Sequence, residues 1–284
     1  MSQDQADYLT EGNLAKKPTS QAEDYRAFVG PAATFDVMSA LQFNLLTTLG
    51  LREHHSLLDI GCGSLRAGRL FIPYLLPERY FGVEPNDWLI DEGIRNEVGK
   101  DVIEMKRPAF SNSADFAFET FDQSFDFIIA QSIFSHASLA QVKTCLAEAK
   151  KVMKPTTIFA ATFVMGDEDY TSDAWVYPGC VTYREETFRE LAQEQGLVCK
   201  MIDWAHPAQQ TWTLITHPEL EARLEETSDT SRLLRLEQEI DFYKVRLARL
   251  EGHPYMKFGM KVLGALQTVR RSVRSRDDDS AKAA

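Results

Sequence analysis

Apolar positions along this chain fall into recognisable periods. Between residues 25 and 51, Phe35, Met38, Leu41, Leu45 and Leu49 recur at three- and four-residue steps, the spacing of one helix face, and Gly50 supplies a stop. From residue 56 short apolar runs alternate with helical stretches. Runs 56–60 (SLLDI), 79–84 (RYFGVE), 124–134 and 156–164 read as strands, and 106–111 (KRPAFS) as a weaker third strand. Helices are predicted up to residue 76 with a kink at Pro73, then over 88–99, 139–153 and 183–195. Runs 197–204 and 210–216 form a final hairpin. Buried strands interleaved with helices predict an α/β fold: a doubly wound, mostly parallel seven-stranded sheet with one antiparallel edge strand. A helical N-terminal cap and a helical C-terminal tail complete it.

Past Pro218 the period changes. Leu233, Leu236, Ile240, Tyr243, Leu247 and Leu250 step by 3, 4, 3, 4, 3, a heptad seam suited either to self-association or to packing on the main domain. After Gly252 and Pro254, the residues Phe258, Val262, Leu266, Val269 and Val273 share one helical arc. The expected organisation is a flexible N-terminus and cap over 1–54, a ligand-binding domain over 55–217, a heptad helix over 218–252 and a basic amphipathic helix with a loose end over 253–284.

Composition narrows the partners. The 284 residues carry 42 acids against 31 bases, a net charge of −11, so a nucleic-acid partner is not expected. The bases Lys257, Lys261, Arg270, Arg271, Arg274 and Arg276 gather in the last helical segment, which suits an anionic membrane surface or an acidic protein face. Four cysteines without a Cys-x-x-Cys pair read as reduced thiols. No secretory leader or bilayer-spanning run is evident, so a cytoplasmic protein, peripheral at the inner face of a membrane at most, is expected. No His/Cys/Asp cluster has metal-ligand spacing, and no metal is predicted.

The chemistry concentrates where the first predicted strand meets its helix, at Asp59, Ile60, Gly61, Cys62, Gly63 and Ser64. Two glycines let the backbone approach a ligand, and Glu84 closes the next strand about 20 residues later, where a carboxylate accepts hydrogen bonds from ribose hydroxyls. A dinucleotide site wants a third glycine where Arg66 stands, and a carboxylate at position 59 would repel a pyrophosphate. The same acid favours S-adenosylmethionine, which carries an ammonium and a sulfonium but no phosphate. A ligand-free turn, with Asp59 only capping the following helix, is the plainer alternative.

Residues 56–216 resemble the class I S-adenosylmethionine-dependent methyltransferases. The likeness rests on Asp59-x-Gly61-x-Gly63, on Glu84, on the pair Asp115 and Phe116, and on the strand opening Phe125-Asp126. Leu65 stands where the family has a further glycine. The resemblance implies a methyltransferase that binds S-adenosylmethionine through Asp59, Gly61, Gly63, Ser64, Glu84, Asp115, Phe116 and Gln131. A non-catalytic scaffold that binds the same nucleotide, and a nicotinamide-dependent oxidoreductase, are the alternatives.

Methyl transfer needs a base only where the acceptor must lose a proton, as a hydroxyl must. His136, just past the fourth long strand, is the candidate catalytic base; the alternative is a histidine that hydrogen-bonds a backbone carbonyl and packs the site. Arg66 is read as holding a substrate anion or, more plainly, as pairing with a nearby acid. Loop 166–179 offers Asp167, Asp169, Tyr170, Asp173, Trp175 and Tyr177, residue types that suit stacking on a sugar or planar ring. Tyr25, Phe35 and Gln42 are candidates for a lid. The acceptor is expected to be a small molecule or a glycan, methylated at oxygen.

Overall fold

A computed structural model describes residues 25–226 and 232–252. The expectations for the first 24 residues and for the basic helix over 253–284 lie outside the described residues. The chain divides into two compact units between Arg232 and Leu233.

The first unit is built on β1 (Leu57–Ile60), β2 (Tyr80–Val83), β3 (Ala109–Ser111), β4 (Phe125–Ala130), β5 (Met153–Met165), β7 (Val198–Ile202) and β8 (Thr211–Thr216), in the order β3-β2-β1-β4-β5-β8-β7. β6 (Thr182–Tyr183) pairs with the end of β5. Strands β1 to β5 run parallel. The antiparallel element predicted for that edge is β8, which runs against both β5 and the outermost strand β7.

Alternation along the strands separates two cores. Leu58, Ile128 and Phe159 face the helices α6 (Leu139–Lys151) and α7 (Glu185–Glu194). Leu57, Phe127 and Ile158 face α2 (Phe35–Thr48) and α3 (Gly68–Tyr74). Burying each such side chain contributes roughly 1.5–3 kcal/mol. The chain winds from β1 towards β3, then reverses to β4 and β5. The crevice beyond the carboxyl ends of β1 and β4 is therefore the topological switch point, where open α/β sheets bind ligands. Asp59 lies level with Gly82 and Ile129, so these strands end together below it.

The structure departs from the periodicity in four places. The first helix is interrupted: α1 (Tyr25–Phe28) ends before Gly30, at φ 127°, and Pro31, and α2 starts afresh at Phe35. A helix α5 (Lys100–Lys106) follows α4 (Asp87–Gly93) and a π turn, shortening the third strand. β4 stops at Ala130 because Ser132 turns to φ 59° and donates its N–H to Thr162 Oγ1 at 2.7 Å. Finally, Pro218–Glu226 is a 3-10 turn whose Leu220 and Leu224 are buried in the second core; the heptad helix α8 starts only at Arg232.

Candidate active site

A cavity of about 460 Å³ opens at the switch point, a size ordinary for small-molecule ligands. Its floor is the turn after β1. Gly61 and Gly63 adopt φ of 70° and 53°. A Cβ on Gly61 would sit 2.0 Å from Ile133 Cδ1, and one on Gly63 would sit 2.6 Å from Val29 Cγ1. The angles favour glycine at both positions, and a side chain would also displace Ile133 or Val29. Leu65 takes φ 57° and is fully buried, so a leucine holds the left-handed conformation at the motif's missing glycine, anchored by the second core.

Glu84 forms one wall. Its Oε2 accepts the Gly63 N–H at 3.2 Å, and its Oε1 accepts the Asn86 backbone and side-chain N–H groups at 2.9 and 2.7 Å. Burial raises its carboxyl above the usual range, opposed by those three donors. The carboxylate is thus tied to the glycine turn and kept at the cavity's edge. Phe116 also lines the cavity, held at φ 61°.

At the opposite side, Gln131 directly follows β4 and faces Arg66, whose guanidinium donates to Gln131 Oε1 and to the Val29 carbonyl. Arg66 ion-pairs with no carboxylate among the described residues, contrary to the plainer expectation; Asp59, whose charge acts on it, accepts the Tyr80 hydroxyl instead. Burial lowers its pKa to about 10, which still leaves it cationic near neutrality. Its Nε is buried without a partner. Behind Gln131 stands His206, buried and pushed down to about 3 by desolvation and then by Arg66, so it is neutral.

The expected set is only partly assembled. Gly61, Gly63, Glu84, Phe116, Gln131 and His136 line the cavity; Asp59, Ser64 and Asp115 do not. Asp59 lies buried behind the turn, where its carboxylate accepts the Tyr80 hydroxyl at 2.6 Å and is raised to about 6 by desolvation. Its charge reaches the cavity as a field, not as a contact. Ser64 is fully buried beneath the turn. Asp115 is exposed and accepts the Ser113 hydroxyl.

His136 shares the cavity. Its Nδ1 lies 2.9 Å from the Val176 carbonyl and 2.7 Å from that of Gly179. Two acceptors put the proton on Nδ1, leaving Nε2 with a lone pair. Burial lowers its pKa, so the ring is neutral at neutral pH. Trp175 and Tyr177 pack on it at 5.7 and 5.2 Å between ring centroids. The acids of loop 166–179 are less involved: Asp169 pairs with Arg184 at 2.7 Å, away from the cavity.

The roof comes from residues the sequence reading passed over. Residues 27–31 line the cavity, whereas Phe35 and Gln42 are buried in α2 and Tyr25 serves as an anchor. Tyr25 and Arg26 each donate to Glu97 Oε1 at 2.7 Å, and Arg69 reaches Glu97 Oε2 at 3.2 Å. Tyr177 donates its hydroxyl to the Phe28 carbonyl, joining the roof to the acceptor loop. Among the described residues no group of His, Cys, Asp and Glu could hold a metal ion, and no helix is long and apolar enough to cross a membrane.

Comparison with known proteins agrees with the fold and the turn. Residues 58–161 match the family model described as a methyltransferase domain. Streptomyces venezuelae DesVI superposes with a TM-score of 0.51 at 11% identity, over 71% of this chain and all of that one. DhpI, in a complex with S-adenosylhomocysteine, gives 0.50 at 12% identity over 68% and 94%. Magnesium protoporphyrin IX methyltransferase of Synechocystis PCC 6803, solved with S-adenosylmethionine, gives 0.49 at 9% identity over 70% and 86%. The chain has the Rossmann-like fold of the class I methyltransferases. It is an S-adenosylmethionine-dependent methyltransferase.

The residues present fit that cofactor. The glycine turn, the Glu84 carboxylate and the apolar Phe116 ring all line one cavity, groups of the kinds that a sugar hydroxyl and a purine would need.

Proposed function

We propose that this enzyme methylates a hydroxyl oxygen of a small-molecule or glycan-type acceptor, with His136 as the base. One observation carries the reading. The Nδ1 of His136 is held by two backbone carbonyls in the cavity that Glu84 and the glycine turn also line, so the basic atom of the ring is Nε2. S-adenosylmethionine supplies an activated methyl group whose leaving thioether is neutral, so no acid is needed. Glu84 and the turn hold the nucleoside end of the donor. His136 takes the hydroxyl proton at Nε2 as the oxygen attacks. Trp175 and Tyr177 give the acceptor flat faces, while the roof and its tie to Tyr177 keep water out.

Arg66 has its own place in the proposal. Among the described residues it is a buried cation with no acidic partner, one turn beyond Gly63, and it suits the carboxylate of the donor's methionine arm. Arg66→Gln is expected to weaken S-adenosylhomocysteine about 10- to 100-fold by calorimetry, the order of one charge-assisted hydrogen bond. Binding of 5′-methylthioadenosine, which lacks the amino-acid arm, should stay within about twofold. Equal losses for both ligands would contradict the assignment.

The acceptor reading is tested by mass spectrometry of saccharide and metabolite extracts incubated with enzyme and deuterated methyl donor. Base-stable O-methyl products support it. Methylation confined to nitrogen would refute it.

A further inference from the structure

All of the helix α8 (Arg232–Gly252) beyond its first residue forms the described part of the second unit. Every residue from 239 to 250 is exposed. Four of the six large apolar ones gather on one side, while Phe242 and Val245 lie outside it. Ile240, Tyr243, Leu247 and Leu250 are 51%, 61%, 56% and 51% exposed, and at about 100° per residue they share an arc of roughly 80°. In proteins the stability of a helix comes mainly from burying such a stripe.

The stripe's flanks say what covers it. With Ile240 and Leu247 at heptad position a, and Tyr243 and Leu250 at d, Glu239 is a g position and Lys244 an e position. In two parallel helices in register, each g residue reaches the e residue that begins the next heptad's flank on the partner. Glu239 therefore meets the Lys244 of a second copy, and symmetry makes the contact twice. The sequence repeats the complementarity on both sides: Arg232 with Glu237, and Arg246 with Glu251, are also opposite in sign. All three g-to-e pairings are attractive, and none sets like charges together.

We infer that α8 is a dimerisation element that pairs with a second copy of this chain as a parallel, in-register two-helix coil. The inference is independent of the methyl-transfer reading, because it uses no residue of the cavity.

The test is sedimentation equilibrium of the full chain. Wild-type protein should be a dimer at micromolar concentration. Ile240→Asp buries a charge in the seam and should weaken the dimer more than about 100-fold. Lys244→Glu sets like charges at both contacts and should weaken it about tenfold. The double variant Glu239→Lys with Lys244→Glu restores the parallel pairing and should recover to within about threefold of wild type. In an antiparallel coil, where g meets g and e meets e, the double variant would be weaker than either single one. A monomeric wild type, a dimer indifferent to Ile240→Asp, or a double variant weaker than Lys244→Glu would each overturn the inference. Binding of S-adenosylhomocysteine should be unchanged in all variants, so failure of the coil is distinguishable from failure of the cofactor site.

Discussion

Replacing His136 with asparagine is expected to lower kcat about 100- to 10,000-fold while leaving the affinity for S-adenosylhomocysteine within about threefold of wild type. Asparagine can still donate to the Val176 or Gly179 carbonyl, so the loop over the acceptor side keeps its anchor. It cannot accept a proton. The pH profile carries the same information. A base works only when neutral, and burial lowers the pKa of His136, so wild-type kcat should fall only below histidine's ordinary value of about 6.5. Above that value it should be flat. The asparagine variant should lose this acid limb. An unchanged limb, or equal losses in kcat and in cofactor affinity, would assign His136 to packing alone.

Glu84→Gln is expected to act in the opposite sense. The carboxylate presents acceptors to ribose hydroxyls, and charged hydrogen bonds contribute about 1.5–3 kcal/mol each. Losing two should weaken S-adenosylhomocysteine about 100-fold or more. At saturating donor, kcat should change much less. Wild-type affinity should also fall as pH drops through the raised pKa of Glu84, because the protonated form is a poorer acceptor. The unliganded variant should melt no lower than wild type, since burying this carboxylate opposes folding. A variant with full affinity would remove Glu84 from the site.

The parts of the site legible in the sequence are those fixed locally. Gly61 and Gly63 follow directly on β1, where only glycine takes the required angles, and Glu84 ends the adjacent strand, so their meeting is dictated by parallel pairing of β1 and β2. His136 follows β4 by a short turn and had to lie at the same sheet edge. What stayed hidden depends on distant packing. The motif predicts Asp59 facing the donor, but Tyr80 from the neighbouring strand captures its carboxylate behind the turn. The sequence leaves Arg66 either to a substrate anion or to a nearby acid, and its protein partners in the structure are Val29 and Gln131, 37 and 65 residues away. The roof over 27–31 depends on Glu97, which gathers Tyr25, Arg26 and Arg69 from three segments; no local period announces such a contact. The helix α5 leaves no signal in the pattern, because a seven-residue element covers too few turns to establish a period.

The most direct test of the central claim is calorimetric titration of the wild-type protein with S-adenosylhomocysteine and, separately, with NAD. The site as described should bind the first at a single saturable site per chain, with that heat greatly reduced in Glu84→Gln, and should give no heat with the second. Saturable binding of NAD with none of S-adenosylhomocysteine would contradict the claim that this cavity is built for a methyl donor.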